Sequence, residues 1–281
     1  VDNIQFLEGI KGERKKNVKN GEIVSTVLAH YRPLLEQRII TQYIKKVFVD
    51  MVTLYGEKEK GFAFSMLKPI YDDAFSQVEQ EESLNKTISL LEKVYEYDYG
   101  LHNSSAQARR NARGYFLESV LSSLFEYYAR NQFMKQVKIN HDGIEKRIDF
   151  IVGASSIFDA SKNLLYVTSK KSLRERAPQV SDEKIFLGTN LLFFFYADDL
   201  KKISDGTLKK FYNEDIVMVT YSDTVSKLYT RNKNVISYDK FFLEILPYYL
   251  ENKDRFKATD FGIETLHQRG AGFLVKRSTH A

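Results

Sequence analysis

Asp149 and Lys170 are the residues of this sequence whose types and spacing most plainly allow chemistry. Asp149 interrupts the run Arg147-Ile-Asp-Phe-Ile-Val152, which is short and rich in β-branched and aromatic residues and reads as a strand. A carboxylate inside such a run is costly unless it is paired, lies at a rim or meets a cation. A rim Asp held by Lys146 or Arg147 is one reading. The next strand-like run, Leu164-Leu-Tyr-Val-Thr168, leads to Lys170, which follows Asp149 at one hairpin's distance. Adjacent strands then bring the two side chains to one end of a sheet. A carboxylate beside an ammonium can hold a divalent cation at a phosphate while the ammonium orients or activates the attacking water.

That pair is the skeleton of the PD-(D/E)xK nucleases, with Ile148 in place of the proline. Their second carboxylate would lie two residues before the lysine, where this chain has Thr168, a residue that cannot ligate Mg²⁺ as an anion. The surrounding run Ser169-Lys-Lys-Ser-Leu-Arg-Glu-Arg176, followed by Gln179 and Glu183, resembles the type II restriction endonucleases of the EcoRII, PspGI and SsoII group and their NgoMIV-like relatives. The resemblance implies that the missing carboxylate has moved to a following helix, where Glu183 sits thirteen positions after Lys170, with Asp182 as the neighbouring alternative. It also implies that Arg174, Glu175 and Arg176 read paired C and G bases. Arginine presents a fork to guanine O6 and N7, and a carboxylate accepts from cytosine N4. The same letters spell a capping box, Ser172-x-x-Glu175, with two solvated arginines, and both roles can coexist. Where relatives often carry Trp after the cluster, this chain has Ala177-Pro178.

Upstream, the run Gln107-Ala-Arg-Arg-Asn-Ala-Arg-Gly-Tyr-Phe-Leu-Glu118 looks like the family's helix that carries a carboxylate into the active site. Gly114 and Glu118 share a helix face, so Glu118 can reach the metal site as a supporting ligand or acid. An ordinary helix salt bridge to Arg113 is the alternative. Arg109, Arg110 and Arg113 can meet phosphates or form a solvated face, and the position of Gln107 matches a residue that approaches the minor groove in relatives.

These residues need a scaffold. Residues 1–103 read as helical. Apolar positions recur at helical spacing from Ile23 to Tyr55, and Pro33 divides that span into two helices. Ser83 is placed to cap a helix carrying Leu84, Ile88, Leu91 and Val94, and a further long helix is expected over 104–133. The pattern then changes to strands at 147–152, 164–168, 191–196 and 216–221, with helices expected at about 198–212 and 239–250. The continuous apolar run Leu191-Leu-Phe-Phe-Phe-Tyr196 suits a central strand covered on both faces. The fold class is therefore α/β. The resemblance implies a restriction-endonuclease-like mixed-sheet core over residues 104–281, with helices on both faces, preceded by an N-terminal helical region that embraces DNA and builds dimer contacts.

The 281 residues include 18 Tyr, 20 Phe and no Cys, and the net charge is +5. Disulfides and thiolate zinc sites are excluded, and a mild basic excess suits a polyanionic partner without proving one. The five histidines show no metal-ligand spacing. No run approaches a membrane span, and Val1-Asp-Asn-Ile lacks the apolar stretch of a signal peptide, so a cytoplasmic protein is expected, and the resemblance implies a prokaryotic one. The resemblance implies a homodimer acting on double-stranded DNA with Mg²⁺. It implies a palindromic CC…GG site, either CCGG within a longer site or CCNGG/CCWGG, cut to leave 5′-phosphates and 5′ overhangs. The alternatives are a repair or resolvase nuclease of the same superfamily, or a sequence-specific DNA-binding protein without catalysis.

Overall fold

A computed structural model describes residues 3–37, 39–79, 84–141, 143–154, 164–170, 177–187, 192–196, 204–214, 216–228 and 235–253. Four helices come first: α1 (Asn3–Asn17), α2 (Asn20–Tyr31), α3 (Ile40–Glu79) and α4 (Leu84–Tyr128). A 3₁₀ turn, Arg32–Gln37, contains Pro33 and separates α2 from α3, as the proline predicts. The two helices expected over 84–133 are one helix of 45 residues that stops at Tyr128. Ser104 and Ser105 resemble a helix start, but their hydroxyls accept hydrogen bonds from Arg14 Nη1 and Nη2 at 2.8 and 2.9 Å, so the backbone runs on.

The chain forms two compact units that interleave in sequence, residues 1–30 with 47–116 and residues 31–46 with 117–281. In the first, Arg14 is buried, pairs with Glu59 at 3.2 Å and lies 5.3 Å from the centre of the Phe62 ring. In the second, a single sheet runs in chain order through β1 (Phe133–His141), β2 (Ile144–Val152), β3 (Leu165–Lys170), β4 (Leu192–Tyr196), β5 (Ile216–Thr220) and β6 (Val235–Ser237). β1, β2 and β3 pair antiparallel, and β3 to β6 are parallel. Parallel neighbours need crossovers. α5 (Ala177–Leu187) lies between β3 and β4 in the chain, α6 (Asp205–Asn213) between β4 and β5, and α7 (Ser222–Leu228) between β5 and β6.

Leu192, Phe193, Phe194 and Phe195 are fully buried, which explains the absence of polar alternation in β4. Val180 and Leu187 of α5 and Leu208 and Phe211 of α6 join Phe194, Leu192 and Met218 in one core. The other core is aromatic. Phe125 of α4 packs within 6.2 Å, centre to centre, of Phe133, Phe150, Phe195, Phe241 and Phe242. The last two belong to a π-helical turn, Phe241–Ile245, between α8 (Tyr238–Lys240) and α9 (Leu246–Asn252). Pro247 offers no N–H for the ladder at that point, and the wider turn accommodates the loss.

β1 and β6 go beyond the strands expected from sequence. β6 is only three residues long, and β1 breaks its own alternation: Met134 and Val137, three apart, pack against the same core. The cause is Gln136, whose φ of 55° lies in the left-handed region.

β2 ends at Gly153, whose φ is 104° and where an added Cβ would coincide with the Tyr249 hydroxyl. That hydroxyl donates to the Val152 carbonyl at 3.0 Å. Gly153→Ala is expected to destabilise the protein by about 3 kcal/mol or more, because backbone strain and overpacking act at one place. Thermal unfolding measures it, and an unchanged midpoint would contradict the close approach.

Candidate active site

Asp149 is buried near the end of β2, with Thr168, Ser169 and Lys170 at the end of β3 beside it. The paired register of the two strands ends at Phe150 with Val167, and beyond it the backbone N–H of Ser169 bonds to the Asp149 carboxylate. Asp149 Oδ2 accepts from Ser169 N at 2.7 Å, Ser169 Oγ at 3.1 Å, Thr168 Oγ1 at 3.4 Å and Lys170 Nζ at 3.3 Å. Four donors converge on one oxygen, which holds the carboxylate in a single orientation. The rim alternative does not hold: Lys146 donates instead to the Asp182 carbonyl at 2.7 Å, and Asp149 takes Lys170 as its cation.

Thr168 therefore has a definite place. It is fully buried and directs its hydroxyl to Asp149.

The second carboxylate comes from α5. Val180, Lys184 and Leu187 form the buried stripe of that helix, and Glu183 lies beside them. Lys170 Nζ stands 3.3 Å from Asp149 Oδ2 and 3.4 Å from Glu183 Oε1, with all three side chains between 11% and 15% exposed. Glu183 Oε2 is buried and has no hydrogen-bond partner among the described residues. Asp182 is exposed, so of the two neighbouring acids Glu183 is the one that meets Lys170.

Glu118, on α4, accepts from Gln136 Nε2 at 2.6 Å, a partner that neither the metal-site reading nor the alternative of an Arg113 salt bridge anticipates. Burial pushes its carboxyl up to about 7, and the Asp149 charge adds to the rise, while Lys170, Arg147 and the Gln136 hydrogen bond oppose it. In the unfolded chain this carboxyl ionises near 4.5. The folded state thus binds its proton more tightly, and stability falls as pH rises from about 4.5 to about 7 and stays lower above that. In EDTA, Glu118→Gln is expected to unfold at a higher temperature than the parent at pH 8 and at the same temperature at pH 4. A difference that did not change with pH would contradict this.

A hard divalent cation suits this donor set. Magnesium takes oxygen ligands and is held by one or two carboxylates while keeping several waters. All four bonds to Asp149 from described residues fall on Oδ2, and Glu183 Oε2 is an orphaned buried acceptor. Among the described residues no group of three or more His, Cys, Asp or Glu is gathered as a complete cage. Two carboxylates and solvent are the arrangement that fits.

Arg174, Glu175 and Arg176 lie outside the described residues. Gln107, Arg109, Arg110 and Arg113 belong to the first unit. Gln107 is exposed, donates to Asn111 Oδ1 at 3.1 Å and lines an open cavity of about 840 Å³ with Lys11, Lys15 and Tyr99. Arg109 lines a smaller cavity with Glu59 and His102, Arg110 is exposed and Arg113 is partly buried. Sequence reasoning missed Gln136, Thr168 as a partner of Asp149, and Ser169 as its double donor. The polar Gln between the apolar Met134 and Val137 was the available signal for the first.

The mixed sheet, the helices on its two faces and the helical N-terminal region are those of the restriction-endonuclease fold. The chain matches two solved structures of Ecl18kI, a type II restriction endonuclease. One is its metal-depleted complex with uncleaved, modified DNA, at a TM-score of 0.69 and 20% identity over 100% of this chain and 94% of that chain. The other is the metal-depleted complex with uncleaved DNA, at 0.68 and 19% over 99% and 95%. No family model matches the sequence, and no match is found among curated proteins. Among the described residues, no helix is long and apolar enough to cross a membrane.

Proposed function

We propose that the protein is a type II restriction endonuclease that makes Mg²⁺-dependent double-strand breaks in DNA. The observation that carries this reading is Lys170 Nζ standing between Asp149 Oδ2 and Glu183 Oε1. The likeness to Ecl18kI, solved on DNA, supports DNA as the partner. Asp149 and Glu183 hold the cation. Bound there, Mg²⁺ neutralises charge at the scissile phosphate and makes water acidic enough to supply the nucleophile. Lys170 directs two protons at carboxylates, which leaves a third for the water or a phosphate oxygen. Its charge sits where negative charge grows in the transition state. Thr168 and Ser169 keep Asp149 from turning away.

The finer reading follows the resemblance to the EcoRII, PspGI, SsoII and NgoMIV-like enzymes. Two copies of the chain form a homodimer, and each cuts one strand of a palindromic CC…GG site, leaving a 5′-phosphate and a 5′ overhang. Arg174, Glu175 and Arg176 read the G·C pairs, Glu118 supports the metal site, and Gln107, Arg109, Arg110 and Arg113 meet the backbone or minor groove.

Incubation with phage DNA, with Mg²⁺ or with EDTA, tests this directly. Discrete fragments with Mg²⁺ alone are expected, and their ends give the site. Retarded but uncut DNA would make the protein a binder, and cutting confined to branched DNA would make it a resolvase.

A further inference from the structure

β1 carries a feature that its pairing with β2 does not require. The register places Lys135 opposite Phe150 and Val137 opposite Ile148, so Gln136 stands where the partner of Asp149 would be. At that position the backbone turns left-handed, φ 55°. A side chain other than Gly or Asn is seldom found there, and such strain persists where the surrounding structure enforces it, often at functional sites. Met134 and Val137 then face one core across a gap of three residues, and on β2 so do Ile148 and Ile151, across Asp149. Both strands slip their alternation at the same rung. Released from the ladder, the Gln136 amide donates to Glu118 Oε2 at 2.6 Å.

We propose that Gln136 is a positioning residue for cation binding: from its place opposite Asp149 on the neighbouring strand, its left-handed backbone carries a neutral donor to Glu118 and holds that carboxylate, still charged, in one orientation beside the site. This rests on the reading of Asp149, Lys170 and Glu183 as the cleavage site. The neutrality of the donor matters. An Arg or Lys at position 136 would hold the same oxygen but would cancel the charge that a cation needs, whereas an amide orients the carboxylate and leaves its charge in place. Among the described residues the bond from Gln136 falls on Oε2, so the amide orients the carboxylate without neutralising it.

The test separates backbone from side chain. Gln136→Gly keeps the left-handed turn without strain and removes the amide, and Gln136→Met keeps the length of the side chain and removes the donor without adding charge. Mn²⁺ binding by the full chain, read from the paramagnetic signal of free Mn²⁺, is expected to weaken roughly tenfold in both. The unfolding temperature of Gln136→Gly should not fall below that of the parent. Single-turnover cleavage with Mg²⁺ should slow roughly tenfold to a hundredfold. Glu118→Ala should show similar losses, and the double variant with Gln136→Gly should lose no more than Glu118→Ala alone. A Gln136→Gly protein that binds Mn²⁺ and cuts like the parent overturns the proposal, as do losses that multiply in the double variant. If the parent itself does not cut DNA, the nuclease reading fails, while the Mn²⁺ titrations still decide whether Gln136 acts through Glu118.

Discussion

Lys170→Ala is expected to cut DNA about a thousandfold more slowly than the parent, or not measurably, while still binding it. The ammonium is the only charge between Asp149 and Glu183 among the described residues, at 3.3 and 3.4 Å, and all three groups are nearly out of solvent. Its removal takes away the group that faces the water and leaves two carboxylates facing each other without a counterion. Breaking a buried ion pair from one side destabilises strongly, because the remaining charge is uncompensated. In EDTA the variant should therefore unfold at a lower temperature than the parent. Magnesium can replace the missing charge, so it should raise the unfolding temperature of Lys170→Ala by more than it raises that of the parent. Cleavage at the parent's rate would sink the assignment of Lys170. Equal thermal shifts would show that the cation does not lie between the two carboxylates.

The second large effect distinguishes two neighbouring acids. Glu183→Gln should lower the cleavage rate about a hundredfold or more and weaken Mg²⁺ binding, because a charged ligand becomes a neutral one at unchanged size. Asp182→Ala should stay within a few-fold of the parent. Asp182 is exposed, and its carbonyl, which accepts from Lys146 at 2.7 Å, belongs to the backbone and survives the substitution. Metal titrations of cleavage by both variants make the comparison. If the two lost activity equally, α5 would have to present a different face to the site.

The pairing of Asp149 with Lys170 was legible because Asp149 lies inside one strand and Lys170 ends the next, one hairpin later, which leaves few ways to arrange them. Glu183 was legible through the resemblance alone, and α5, which spacing did not reveal, sets it one turn from the buried Val180. A mixed α/β sheet was readable from the apolar runs at β2 to β5, and the resemblance supplied its restriction-endonuclease-like character. β1 was not, because its alternation breaks at Gln136 for a reason that lies in tertiary structure. The false break in α4 has a similar origin. A Ser-Ser pair signals a helix start locally, and only the buried Arg14, some ninety residues away, explains why it does not act as one. The bases that Arg174, Glu175 and Arg176 would read remain a matter of residue type, since those positions lie outside the described residues.

Thr168 has a consequence for the history such a site can have. The threonine is sealed from solvent against Asp149, at the position where the PD-(D/E)xK layout that the sequence resembles would place a carboxylate. Putting an acid there while Glu183 remains would crowd like charges into a buried space, and at least one would stay protonated and useless as a ligand. Losing Glu183 first would leave a single acid to hold the ion. On the proposed reading, acids at positions 168 and 183 therefore exclude one another, and moving the ligand from one position to the other would pass through a variant worse than either.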